Sequence, residues 1–202
     1  MSNATELYSF FPTPVQISEI TDADRLNADL QRDIYTIKGA TPNSLPEAWS
    51  CNLYTTISSP DLDLFKYESF QRLEKAIMAE SARYARAIDL DIENFPLRMT
   101  ECWINVYGGG DAQEAHVHKN NVLSGIYYAK APAGCGELLF HSPVADSMLE
   151  PPKTRTNDFN TPAVGITPVE GQMVLFRSWL RHSVKPNRIT EDRISVAFNL
   201  TM

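Results

Sequence analysis

The chain is 202 residues long, 43% hydrophobic and 21% charged, with a formal net charge of −7. That is ordinary composition for one globular domain with a sizeable core. An acidic chain with no Lys/Arg cluster is a poor ligand for nucleic acid or an anionic membrane, and no apolar run approaches the roughly 20 residues of a membrane span.

The first residues carry no basic region followed by a long apolar core, so no secretory signal is expected there. Phe10-Phe11-Pro12-Thr13-Pro14-Val15 reads as a short extended segment, because each proline biases its predecessor away from helix. Thr21 is placed to cap a helix in which Leu26, Leu30, Ile34 and Ile37 recur at helical spacing, and the stretch 40–46 ends it. Ser59-Pro60-Asp61 reads as the start of a second helix running to about Ile88. Phe70, Leu73, Ile77, Tyr84 and Ile88 form its apolar stripe, which reads as a packing face. Cys51, Cys102 and Cys135 are odd in number and share no metal-ligand spacing. They read as reduced, mostly buried thiols of a cytoplasmic protein.

After Pro96 the helical period gives way to alternation and apolar runs. Stretches 99–107, 114–118, 122–129, 136–140, 173–177 and 193–200 read as strands separated by Gly, Pro and Asn clusters. The stretch 141–168, with five prolines, is long for a loop and reads as functional. The expected fold class is α+β, mainly β. One domain spans 1–202, with two helices in 1–95 packed on one face of a β barrel or sandwich formed by 96–202.

Two of the four histidines stand in Glu114-Ala115-His116-Val117-His118. Residues two apart on a strand share a face, so Glu114, His116 and His118 are expected to point together. Two imidazoles about seven Å apart along a strand can converge on one ion if a third ligand comes from elsewhere. His182 is the candidate. His-x-His alone is a weak signal, since a single histidine is more often hydrogen-bonded or at the surface than a ligand. His141 reads as a loop histidine. Arg193 and Ser195 alternate on one face of the last strand. An interior arginine needs an anion, either a ligand carboxylate or an Asp or Glu of the protein, and the residues alone leave both open.

His116-x-His118, a distant His182 and Arg193-x-Ser195 eleven residues later together resemble the 2-oxoglutarate- and Fe(II)-dependent oxygenases. The likeness is to prolyl-hydroxylase-like members, in a largely uncharacterised bacterial and phage group. Further resemblance lies in Tyr107 before a glycine-rich turn, Ile126-Tyr127-Tyr128, Gly136-x-x-x-Phe140, the Pro168-x-x-Gly171 turn, and Trp179-Leu180-Arg181-His182. It runs from about Trp103 to Asn199. One position departs from the family pattern: His118 stands where the family has a carboxylate. Two other arrangements stay open, with Asn120 at the acid position after His118, or with Glu114 as the carboxylate.

The resemblance implies a double-stranded β-helix (jelly-roll) core. It implies Fe(II) held by His116, His118 and His182, and 2-oxoglutarate clamped by Arg193 with Ser195 and Tyr128, and Tyr107 as a further contact. It implies hydroxylation of an unknown protein or small-molecule substrate, with release of succinate and CO2. The partners expected are this small-molecule cosubstrate and the unknown substrate, with no nucleic acid and no membrane, and a homodimer by default. Trp103 and Phe140 are expected in the core, and Arg155 as a substrate anchor on a closing loop. Two rivals remain: a cupin-like metal enzyme that does not use 2-oxoglutarate, and a non-catalytic metal-binding β-barrel.

Overall fold

A computed structural model describes residues 6, 8, 10–144 and 151–202. Ten strands and two helices follow in the order β1 (Val15–Glu19), α1 (Ala23–Ala40), β2 (Tyr54–Thr55), α2 (Glu68–Ala87), β3 (Arg98–Tyr107), β4 (Gln113–His116), β5 (Leu123–Lys130), β6 (Leu138–His141), β7 (Ala163–Ile166), β8 (Gln172–Arg177), β9 (His182–Val184) and β10 (Arg193–Thr201). They form two antiparallel sheets. The larger has the order β1-β8-β5-β10-β3-β2 and the smaller β4-β9-β6-β7.

The strict alternation of the long strands separates two cores. On β10, Ile194, Val196, Phe198 and Leu200 join one cluster with Leu30, Ile34, Phe70 and Ile77 of the helices. The other parity, Arg193, Ser195, Ala197 and Asn199, belongs to the opposite face of the sheet. β5 and β8 divide in the same way: Tyr127 and Leu175 go to the helix layer, while Tyr128, Val174 and Phe176 join a second cluster with Leu138, Phe140 and Val184 of the smaller sheet. The helices therefore roof the outer face of the large sheet, and the candidate site lies on its inner face. Full burial of side chains such as Leu30, Ile34 and Ile77 stabilises this roof by about 1.5–3 kcal/mol each.

Several expectations need correction. Asp22, not Thr21, occupies the N-cap of α1; it does so with φ 56° and makes no side-chain capping bond. The second helix starts at Glu68, after a 3-10 turn over Leu64–Lys66 capped by the Asp63 carboxylate, so Ser59-Pro60 lies in turns before it. The N-terminal segment is not purely helical, because β1 pairs with β8 and β2 with β3. β7 interrupts the long 141–168 stretch by pairing with β6, and residues 145–150 of that stretch lie outside the described residues. The Pro168-x-x-Gly171 turn places Gly171 at φ 84°, and a Cβ there would stand 2.6 Å from the Ala23 Cβ, so both backbone and space call for glycine. Among the described residues no helix is long and apolar enough to cross a membrane.

Candidate metal centre

The three expected histidines meet. The candidate ligand atoms of His116, His118 and His182 all lie within 4.8 Å of one another. The Nε2 atoms of His118 and His182 are 3.3 Å apart. That already matches the separation of about 3 Å that two nitrogens adopt on one ion at about 2.1 Å from each.

Different elements deliver the three rings, and only partly by the expected route. β4 carries a bulge: Gln113 pairs with Val184 and His116 with His182, so three steps on β4 match two on β9. The bulge turns both Gln113 and His116 inward and removes Glu114 from the histidine face. The Glu114 carboxylate instead accepts from the Ser50 amide, so it is not the missing acid. β4 ends at His116, and His118 stands in the irregular stretch before the turn at Lys119 and Asn120, held by its backbone amide donating to the Ser178 carbonyl at 3.0 Å. His116 and His118 converge although His118 lies past the end of the strand. Asn120 is exposed at φ 64° in that turn and supplies no ligand. His182 opens β9, with the Phe176 ring edge-on at 4.7 Å.

Two of the rings have a defined tautomer. The Nδ1–H of His116 donates to the Glu114 carbonyl at 2.7 Å, and that of His182 to the Leu180 carbonyl at 2.9 Å. Each bond leaves Nε2 with its lone pair free for a metal. Burial lowers all three pKa values. His118 falls to about 4, with neighbouring His116 adding to the effect, and His182 falls well below its ordinary value. The imidazoles are thus neutral at pH 7, the state that ligates.

The cleft is narrow, about 30 Å³, and its lining includes Trp49, Trp103, Asn105, Tyr107 and Gln113 beside the three histidines. This volume admits an ion with one or two small ligands, and a five-carbon diacid requires the lining side chains to part. Trp103, expected as core, is buried but also faces the site, its ring 5.6 Å from that of His118. Phe140 does belong to the inner core. Trp49, Gln113 and Asn199 carry no functional signal in the sequence. Trp49 sits in an irregular segment with no periodic signal, and the bulge hides Gln113 from period-two counting. His141 ends β6 and bonds the Ser183 hydroxyl at 2.8 Å, so it is a strand residue with a structural partner. Arg155 is exposed and outside the cleft lining.

Arg193 is fully buried. Its guanidinium lies 4.6 Å over the Tyr107 ring and 5.0 Å over the Tyr128 ring, and its Nη1 is 3.4 Å from the Ser195 hydroxyl. Its Nε and Nη2 have no partner, nor has the buried Tyr128 hydroxyl, and no described carboxylate pairs with it. Burial pushes the Tyr107 phenol up to about 12 and raises Tyr128, so both stay protonated as donors. Three sets of unused donors converging in the interior fit a carboxylate from outside the chain. Three neutral imidazoles, two of them with Nε2 held free, fit Fe(II), Zn(II) or Ni(II).

Comparison with known proteins agrees with this geometry. Residues 101–199 match the model of the family described as "Putative 2OG-Fe(II) oxygenase". Among curated proteins, none matches this chain. A prolyl-4-hydroxylase from Pseudomonas putida superposes with a TM-score of 0.65 at 16% identity, covering 94% of both chains. A prolyl hydroxylase from Trichoplax adhaerens, solved with a hypoxia inducible factor peptide fragment, gives 0.64 at 14%, covering 93% of this chain and 83% of that one. HygX from Streptomyces hygroscopicus, with nickel, 2-oxoglutarate and hygromycin B bound, gives 0.62 at 12%, covering 94% and 83%. At these identities the likeness establishes the fold, a double-stranded β-helix. Residues 101–199, its β half, are similar to the 2OG-Fe(II) oxygenase family.

Proposed function

We propose that the protein is a 2-oxoglutarate- and Fe(II)-dependent dioxygenase in which His116, His118 and His182 hold the iron. Arg193, with Ser195, Tyr128 and Tyr107, receives the far carboxylate of 2-oxoglutarate. The observation that carries this reading is Arg193: a fully buried guanidinium with two unpartnered nitrogens, on the inner face of the barrel that also holds the three histidines. A cupin-like site without a diacid leaves that charge unexplained, because an unpaired buried cation costs several kcal/mol.

When bound, iron and 2-oxoglutarate supply the activation of O2, with release of succinate and CO2 and hydroxylation of a substrate C–H bond. The chain's own residues bind, orient and exclude water. Three neutral imidazoles add no negative charge, so an anionic cosubstrate brings the balance. Arg193 would hold that cosubstrate's far carboxylate through its unpaired N–H donors, and the protonated Tyr128 hydroxyl would add a third. The Trp49 and Trp103 rings wall the cleft against water. The substrate is an unidentified protein side chain or small molecule. Net charge −7 argues against nucleic acid, and three free thiols suit the cytoplasm. A homodimer is the default assembly, to be checked by sedimentation.

The test is turnover. Protein with Fe(II), 2-oxoglutarate, O2 and a mixture of cell-extract peptides and metabolites is expected to form succinate, and His182→Ala is expected to form none. Wild-type protein that carries iron yet yields no succinate with any fraction would defeat the reading.

A further inference from the structure

His118 differs from the other two histidines in what holds its Nδ1. There the partner is the side-chain amide of Asn199, with Nδ2 3.3 Å away, where His116 and His182 face carbonyl oxygens. Asn199 is buried on β10, directly opposite Glu101 of β3. The same Nδ2 donates to the Glu101 carboxylate, and Oδ1 accepts from the Ser124 hydroxyl at 2.7 Å. Ser124 in turn lies 2.9 Å from the Ser178 hydroxyl. A buried polar chain thus runs Ser178–Ser124–Asn199, with branches to His118 and to the exposed Glu101.

The direction of this chain matters. An amide NH2 facing Nδ1 makes Nδ1 an acceptor, so a neutral His118 carries its proton on Nε2. That proton points at the His182 Nε2, 3.3 Å away. A metal needs the Nε2 lone pair, which places the proton on Nδ1, facing a second donor. Reversing the Asn199 amide removes the conflict. Oδ1 then accepts from His118 Nδ1–H, Nδ2 donates to Ser124, and the Ser124 hydroxyl turns to donate to Ser178. Every group in the buried chain keeps a partner, and only the exposed Glu101 carboxylate loses its donor, to water.

We infer that Asn199 is a positioning residue that reverses its amide when metal binds, and that Glu101 holds it in the metal-free orientation. This rests on the three-histidine metal site proposed above. The inference fixes signs that simple charge attraction does not. Glu101→Gln removes a negative charge near a cation, which on electrostatics alone lowers metal affinity. With a reversible amide, the carboxamide that this change introduces donates to the turned Oδ1 and favours the metal-bound orientation, so Zn(II) affinity rises by about 3–10-fold. Asn199→Leu, which offers no acceptor to Nδ1–H, lowers Zn(II) affinity by about 10–100-fold.

The experiment has two arms. Zn(II) alone is titrated against a chromophoric chelator with wild type, Glu101→Gln and Asn199→Leu. Separately, the imidazole nitrogens of metal-free, 15N-histidine-labelled wild type are assigned by NMR. The expected results are tighter Zn(II) binding in Glu101→Gln and an Nε2–H tautomer for His118 in the metal-free protein. Weaker binding in Glu101→Gln, or His118 already in the Nδ1–H form without metal, would overturn the inference. Wild type that binds no Zn(II) at all would instead defeat the metal site itself. The NMR arm judges the amide direction without any metal.

Discussion

His118 Nε2 and His182 Nε2 stand 3.3 Å apart, although one lies past the end of β4 and the other at the start of β9. A separation of this kind between neutral imidazoles is what sharing one ion requires. Replacing His182 with Ala removes one of three ligands and is expected to weaken Fe(II) or Zn(II) binding by at least about 100-fold. Calorimetric titration of the metal checks this. Retained affinity would mean that the ion is held elsewhere.

Arg193 supports two measurements with opposite signs. Arg193→Met removes a buried charge without a partner, so the cosubstrate-free protein is expected to gain about 1–3 kcal/mol in stability, read from urea unfolding. The same change is expected to weaken 2-oxoglutarate binding to the Zn(II)-loaded protein by about 100-fold while metal binding holds. Unchanged 2-oxoglutarate affinity would remove Arg193 from the cosubstrate site.

Acid should destabilise the metal-free protein. Burial lowers the pKa of all three site histidines, His118 to about 4. As pH falls below about 6.5 the unfolded chain takes up protons that the folded chain refuses, so stability is lost as pH drops toward 4. Thermal unfolding midpoints between pH 7.5 and 4.5 should fall accordingly, and His118→Gln should flatten the slope. A metal-free midpoint independent of pH over that range would contradict this account of the imidazoles.

The helix layer offers a test of packing. A Cβ on Gly125 of β5 would stand 2.2 Å from Phe198 Cζ and 2.9 Å from Leu175 Cδ2. Gly125→Ala is expected to cost about 1–3 kcal/mol through overpacking. Denaturant unfolding measures it, and a cost under about 0.5 kcal/mol would mean that the core yields more readily than this packing implies.

Much of this molecule is legible in its sequence, where local pattern and tertiary role coincide. Ile194, Val196, Phe198 and Leu200 alternate with Arg193, Ser195, Ala197 and Asn199, and that one strand announces both an apolar roof and a polar interior. Leu26, Leu30, Ile34 and Ile37 mark α1 just as clearly. β2, β7 and β9 are only two to four residues long, too short for a period to show, and β1 hides because only partly buried residues alternate along it. The β4 bulge defeats counting by two: it brings in Gln113, turns out Glu114, and leaves His118 past the strand's end. Asn199 carries no signal of its own, since its importance comes from Glu101 and Ser124 on the two flanking strands.

The most direct measurement of the central claim is anaerobic. Fe(II) and then 2-oxoglutarate are added to the metal-free protein, and the visible spectrum is followed for the charge-transfer band of an iron-bound 2-oxo acid. The account predicts that the band appears in wild type, is lost in His182→Ala, and in Arg193→Met needs about 100-fold more 2-oxoglutarate. Iron bound by wild type, with no band at saturating 2-oxoglutarate, would contradict it.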